Sequence, residues 1–133
     1  MQSSLQIIHS SDPQQHSFNF PYQIGSRGDS PDKALTEVHK VKLGDVLILG
    51  TDGLFDNVYK DEMREIVEKR MDTGRLDPNR VARELAQKAF EYSKDKKYYS
   101  PFEDEARKAG RVFKGGKQDD ISVIVAQVLL WEK

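Results

Sequence analysis

An α+β fold with mainly antiparallel strands is what this sequence predicts, and three observations predict it. Strand-like runs crowd the early part of the chain, helical patterns fill the middle, and a long β-branched run lies near the end. Strands and helices that are segregated in this way, rather than alternating, favour α+β packing. The 133 residues fit one domain spanning 1–133 with a single core.

Residues 4–9 and 17–24 are short, rich in β-branched or aromatic residues, and parted by Ser10-Ser11-Asp12-Pro13, so they read as a pair of strands. Gly, Ser, Asp and Pro from Gly25 to Asp32 predict an exposed loop, and Thr36 to Lys42 a third strand. The loop holds Arg27-Gly28-Asp29, whose adhesion reading requires an extracellular protein; three common loop residues are the simpler account. Leu43-Gly44-Asp45 turns the chain into Val46 to Leu49, an unbroken apolar run that predicts a strand covered on both faces.

After Asn57, the positions of Met63, Ile66 and Val67 predict a helix reaching Met71, with Asp56 and Asn57 as its N-capping residues. Asp77 caps a second long helix, Pro78 suits its first turn, and Val81, Ala82, Leu85, Ala86, Ala89 and Phe90 form its core stripe. Ser100-Pro101-Phe102-Glu103 has the capping-box pattern of a short third helix that Gly110 can end. Ile121 to Leu130 closes the layout as a long strand.

The charge balance, 21 basic against 22 acidic residues, speaks against a nucleic-acid backbone binder. Lys94, Lys96 and Lys97, the one notable basic run, read as a solvated helix end. No cysteine is present, which removes disulfides and thiolate metal sites and fits an intracellular chain. No apolar run approaches the ~20 residues that span a bilayer, and no targeting segment is visible, so a soluble protein without a membrane partner is expected. His9, His16 and His39 lack a nucleophile at recognisable spacing and read as structural or surface residues.

Two acidic stations carry the chemistry. Gly50-Thr51-Asp52-Gly53-Leu54-Phe55-Asp56-Asn57 follows one strand, and Gly115-Gly116-Lys117-Gln118-Asp119-Asp120-Ile121-Ser122 leads into another. If those strands pair antiparallel, Asp52 and Asp119 reach one rim, where oxygen donors suit Mg2+ or Mn2+. Asp120 is placed to orient a ligating carboxylate or to cap the turn. Gly53 allows a sharp turn after Asp52, and Gly115-Gly116 a close backbone approach near Asp119.

Asp52-Gly53-Leu54-Phe55-Asp56-Asn57 and Asp119-Asp120-Ile121-Ser122-Val123-Ile124-Val125 resemble the last metal-ligand motifs of type 2C, metal-dependent serine/threonine protein phosphatases, in the carboxy-terminal half of that fold. Residues 14–23, Ser100-Pro101-Phe102 and Gly115-Gly116-Lys117 are similar to a mitochondrial branch of the family, which implies a mitochondrial compartment. The resemblance implies part of an α-β-β-α sandwich, metal ligation by Asp52 and Asp119, and two Mg2+ or Mn2+ ions that activate water against phosphoserine or phosphothreonine in a protein substrate. It also implies a gap: the family's metal-bridging aspartate, its adjacent glycine and its phosphate-binding basic residue have no counterpart here. A fragment with little activity of its own is therefore expected, completed by self-association or by a complementing chain. The alternative is a catalytically inactive binding or regulatory fragment derived from a phosphatase. A haloacid-dehalogenase-type phosphatase also carries Asp-Gly-x-x-x-Asp, but its nucleophilic aspartate would stand where this chain has Gly50.

Overall fold

The computed structural model describes residues 5–131, which form two compact units: residues 5–7 with 41–131, and Ile8–Lys40. The larger unit runs β3 (Val46–Gly50), α1 (Asp52–Phe55), α2 (Lys60–Arg70), α3 (Pro78–Lys94), α4 (Pro101–Lys108) and β4 (Val123–Gln127); the smaller contains β1 (Gln15–Ser17) and β2 (Phe20–Pro21). The expected α+β class holds, with mixed helices and antiparallel strands.

In the larger unit β3 and β4 pair antiparallel, from Val46 opposite Gln127 to Gly50 opposite Val123. Period-two alternation turns Val46, Ile48, Val123 and Val125 toward the helices, where they pack on a core of Leu54, Val58, Met63, Ile66, Val67, Val81, Leu85 and Ala89. Leu47, Leu49 and Ile124, on the opposite face, are 39%, 55% and 63% exposed. The strand expected to be covered on both faces is therefore covered on one. Its continuous apolar run includes an uncovered face.

The helices follow their sequence signals. Asp77 accepts from the Arg80 amide at 3.2 Å and Pro78 starts α3, whose Val81, Leu85 and Ala89 are fully buried. Phe90 departs from the expected core stripe and lies 48% exposed, because the apolar arc of α3 is narrower than its run of apolar letters. Ser100 accepts from the Glu103 amide at 3.0 Å, but Glu103 does not close the capping box; its carboxylate takes the Gly115 amide at 2.7 Å. Gly110, at φ 70°, ends α4 in the left-handed region.

Asp56 and Asn57 do not cap α2. Tyr59 holds the N-cap position without a side-chain hydrogen bond, while Asp56 is the C-cap of α1, a short helix the sequence reading did not anticipate. The final strand is shorter than Ile121 to Leu130.

In the smaller unit the expected pair of strands is displaced to a hairpin of Gln15–Ser17 with Phe20–Pro21. The described part of 4–9 and all of 36–42 form no strand; Ser4 lies outside the described residues. Propensity alone does not make a ladder, and Val38 and Val41 are 94% and 52% exposed rather than packed on a sheet face. The Gly25–Asp32 segment is exposed as expected save for its intermediate Asp29, whose carboxylate is tied to His16 at 2.9 Å and accepts from the Gln23 amide.

Candidate metal centre

The register of β3 and β4 sets the two acidic stations side by side. Just past the Gly50–Val123 pair, the Thr51 amide donates to the Ser122 carbonyl at 3.1 Å, and the Ser122 amide donates to Thr51 Oγ1 at 3.0 Å. The same hydroxyl donates to the Asp120 carbonyl at 2.7 Å, so one side chain stitches both stations. Asp52 then opens α1, and Asp119 precedes the stitched carbonyl. Gly53 is required for close approach rather than for a sharp turn: it lies in α1, and a Cβ there would overlap the Asp120 carbonyl oxygen.

A second set of contacts joins residues the sequence reading did not assign to the site. Asn57 is fully buried; its Nδ2 donates to the carbonyls of Gly53 at 2.9 Å and Lys117 at 2.8 Å, and its Oδ1 accepts from the Lys117 amide at 2.9 Å. Lys117 Nζ lies 2.9 Å from Asp56 Oδ2 and 3.6 Å from Asp119 Oδ2, and 4.5 Å over the Phe102 ring. The Asp56 carbonyl accepts from the Phe102 amide at 3.1 Å, tying α4 to the same place.

The electrostatics record the crowding. Burial raises the Asp56 carboxyl above its ordinary range; the Lys117 ammonium pulls it back, and Asp52 and Asp119 push it up again. Burial works against the charge of Lys117, but the hydrogen bond to Asp56 and the fields of Asp56, Asp52 and Asp119 outweigh it and raise its pKa. Four charged groups thus act on one another at this rim.

Asp52 and Asp119 are both exposed, and the Asp120 amide donates to Asp119 Oδ1 at 2.8 Å. Among the described residues the Asp52 carboxylate makes no hydrogen bond or ion pair. The donors are hard carboxylate oxygens of the kind Mg2+ and Mn2+ accept, with waters completing the shell. They fit such an ion loosely. Among the described residues, three His or acidic side chains with donor atoms all within 4.8 Å of one another occur at His9, Glu37 and His39, not at this rim. Gly115-Gly116 serves a different approach from the one expected: a Cβ on Gly116 would overlap the Tyr92 carbonyl oxygen, at the end of α3.

Asp56, Asn57 and Lys117 escaped the sequence reading because their partners lie 60 and 61 positions away. The one local hint was the Gly-Gly-Lys run beside Asp119.

Residues 26–98 match the family model described as Protein phosphatase 2C. The chain is 43% identical over 117 residues to "Probable protein phosphatase 2C 55" of Arabidopsis thaliana, covering 86% of this chain and 25% of that protein. It is 36% identical over 132 residues to "Protein phosphatase PTC7 homolog" of Xenopus laevis, covering 92% of this chain and 44% of that protein. The fold is similar to "X-ray structure of the photosystem II phosphatase PBCP", with a TM-score of 0.80 and 32% identity, over 92% of this chain and 52% of that one. The chain therefore spans less than half the length of these two curated relatives. With its strand-end aspartates meeting at one rim of the same fold, the chain belongs to the protein phosphatase 2C family.

Proposed function

We propose that this chain contributes the Asp52 and Asp119 carboxylates to metal-dependent hydrolysis of phosphoserine and phosphothreonine in proteins. The observation that carries the reading is the Thr51 stitch, which brings two acidic stations from distant parts of the chain to one rim. When bound, Mg2+ or Mn2+ supplies a water of lowered pKa and neutralises charge on phosphate oxygens. The chain's residues hold that chemistry in place. Asp52 and Asp119 offer the ligating oxygens, Asp120 orients Asp119 through its backbone amide, and Asn57 fixes the backbone that carries Lys117.

The reading extends to the chain as the carboxy-terminal portion of the family's catalytic domain, 1–133, with only part of the two-ion site. The short coverage of its relatives supports this. The exposed Leu47, Leu49 and Ile124 offer an apolar face to a second copy or a complementing chain. Mitochondrial placement rests on the likeness of residues 14–23, Ser100-Pro101-Phe102 and Gly115-Gly116-Lys117 to one branch of the family. Among the described residues no helix is long and apolar enough to cross a membrane.

A second reading, an inactive regulatory or binding fragment, is favoured by the Lys117 ammonium, which already offsets part of the rim's negative charge. One experiment addresses both. Mn2+ binding to the purified chain is followed by electron paramagnetic resonance, alongside phosphate release from a phosphothreonine peptide. Weak Mn2+ binding that Asp52→Asn and Asp119→Asn each reduce at least about ten-fold, with little phosphate release, is the expected result. Binding indifferent to both substitutions overturns the metal assignment. Strong Mn2+-dependent turnover lost in Asp52→Asn shows that the chain's site is complete.

A further inference from the structure

The smaller unit contains a set of side chains that the phosphatase chemistry does not use. His9 Nε2 lies 3.1 Å from Glu37 Oε2, and His39 Nε2 lies 3.0 Å from the same oxygen. The two imidazole rings are 3.7 Å apart at their centroids with a tilt of 31°. One donor atom from each residue falls within 4.8 Å of the other two. All three side chains are open to solvent, at 40%, 39% and 47% exposure for His9, Glu37 and His39.

We propose that His9, Glu37 and His39 form a site for a divalent transition-metal ion of the Zn2+ class. A tetrahedral zinc ion with ligands at about 2.0–2.1 Å sets neighbouring donor atoms about 3.4 Å apart. The two His–Glu separations are within a few tenths of an ångström of that spacing, while the two rings, 3.7 Å apart, must swing open to about 5 Å between centroids for both Nε2 atoms to face one tetrahedral ion, a movement that their exposure allows. Two imidazoles and one carboxylate are also a donor set that prefers zinc to Mg2+, which favours oxygen. Solvent takes the fourth position, as exposure at this site allows.

A purely ionic account is weaker. A surface carboxylate shared by two exposed imidazoles contributes little, and ordering three side chains on one oxygen has an entropic cost. Coordination gives all three a reason to converge. The placement also gives the ion work to do. His9 stands at the start of the Ile8–Lys40 unit, and Glu37 and His39 stand near its end, so an ion held by all three clips the neck of that unit. Closing a long loop in this way restricts the open chain and stabilises the closed one.

The test is calorimetric titration of the intact chain with ZnCl2 alone, with Co2+ as a spectroscopic probe of coordination. One zinc ion per chain is expected, with affinity reduced at least ten-fold in His9→Gln and in His39→Gln. The Co2+ complex should show the visible absorption of a four-coordinate ion. Zn2+ should also slow proteolysis within residues 8–40 in the native sequence and have no such effect in the double histidine variant. Circular dichroism checks that the variants keep their fold. The Asp52→Asn/Asp119→Asn variant separates this site from the acidic rim: it should bind zinc like the native chain. No zinc binding, binding unchanged by the histidine substitutions, or binding lost with the rim aspartates would each overturn the proposal.

Discussion

Asn57 and Lys117 hold each other by their backbone-facing groups: the Asn57 amide donates to the Lys117 carbonyl, and the Lys117 amide donates back to Asn57 Oδ1, both within 2.9 Å. With the third bond to the Gly53 carbonyl, a fully buried side chain is satisfied by two segments 60 positions apart. Asn57→Ala leaves those backbone groups without their partner in a dry place. The expected loss is about 2–4 kcal/mol in urea unfolding. Asn57→Asp should be no milder, since its ionised carboxylate cannot donate to either carbonyl.

Gly53 admits no side chain. A methyl group there must displace the Asp120 carbonyl that Thr51 holds, so Gly53→Ala should cost about 1–3 kcal/mol. It should also weaken Mn2+ binding. Gly44→Ala, where nothing stands within 4 Å of the added carbon, provides the contrast: its cost should come from backbone strain at φ 89° without a change in metal binding.

Removing the Lys117 ammonium leaves Asp56 half-buried among like charges. Lys117→Met should destabilise by about 1–2 kcal/mol near neutral pH. The sign of its pH dependence follows from both partners. The folded pKa of Asp56 is raised above 3.8 although Lys117 lowers it, so without Lys117 it lies higher still, and the variant recovers relative to the native chain as pH falls through that higher value and the carboxylate takes a proton. The folded pKa of Lys117 is raised above 10.5, so its contribution is whole below that value and fades as pH climbs through the folded one. Urea midpoints of the two proteins measured across pH should differ most between these windows.

Tyr98 has a buried hydroxyl without a hydrogen-bond partner among the described residues, and burial holds its pKa well above the ordinary tyrosine value. Tyr98→Phe removes a desolvated group that gains nothing, so stability should rise by about 1 kcal/mol. Because the folded pKa is raised, the native chain's stability is full below about pH 10 and falls above it as the unfolded state ionises. The phenylalanine variant should lose less over that alkaline range, as thermal midpoints would show.

The helices were legible because their signals are local, whereas the meeting of the two stations, 69 and 71 positions apart at the Thr51 contacts, followed only on the condition that their strands pair. Asp77 with Pro78, Ser100 with Pro101, and the buried Met63, Ile66 and Val67 each announce themselves within one or two turns. The strands at 4–9 and 36–42 failed because extended propensity becomes a ladder only when a neighbour supplies hydrogen bonds. Asn57 failed for a related reason: a polar residue before a helix usually caps it, and nothing within a few positions reveals that its partners are Gly53 and Lys117. His9 and His39 read as structural or surface residues and Glu37 carried no signal of its own, because the three converge only in space, across some thirty positions of the chain.

The paired ribbon of β3 and β4 would be almost as oily if it slid by one residue, since that shift merely trades Val46 and Ile48 for Leu47 and Leu49 against the helices. Greasiness cannot choose the phase; polar marks at the two ends do. At one end the Gly44 amide reaches the Val128 carbonyl and the Val128 amide reaches the Asp45 carbonyl; at the other, Thr51 grips Ser122 and Asp120. The Thr51 hydroxyl therefore both marks the ribbon's phase at one end and holds the backbone beside the two carboxylates, so evolution cannot retune one without rewriting the other.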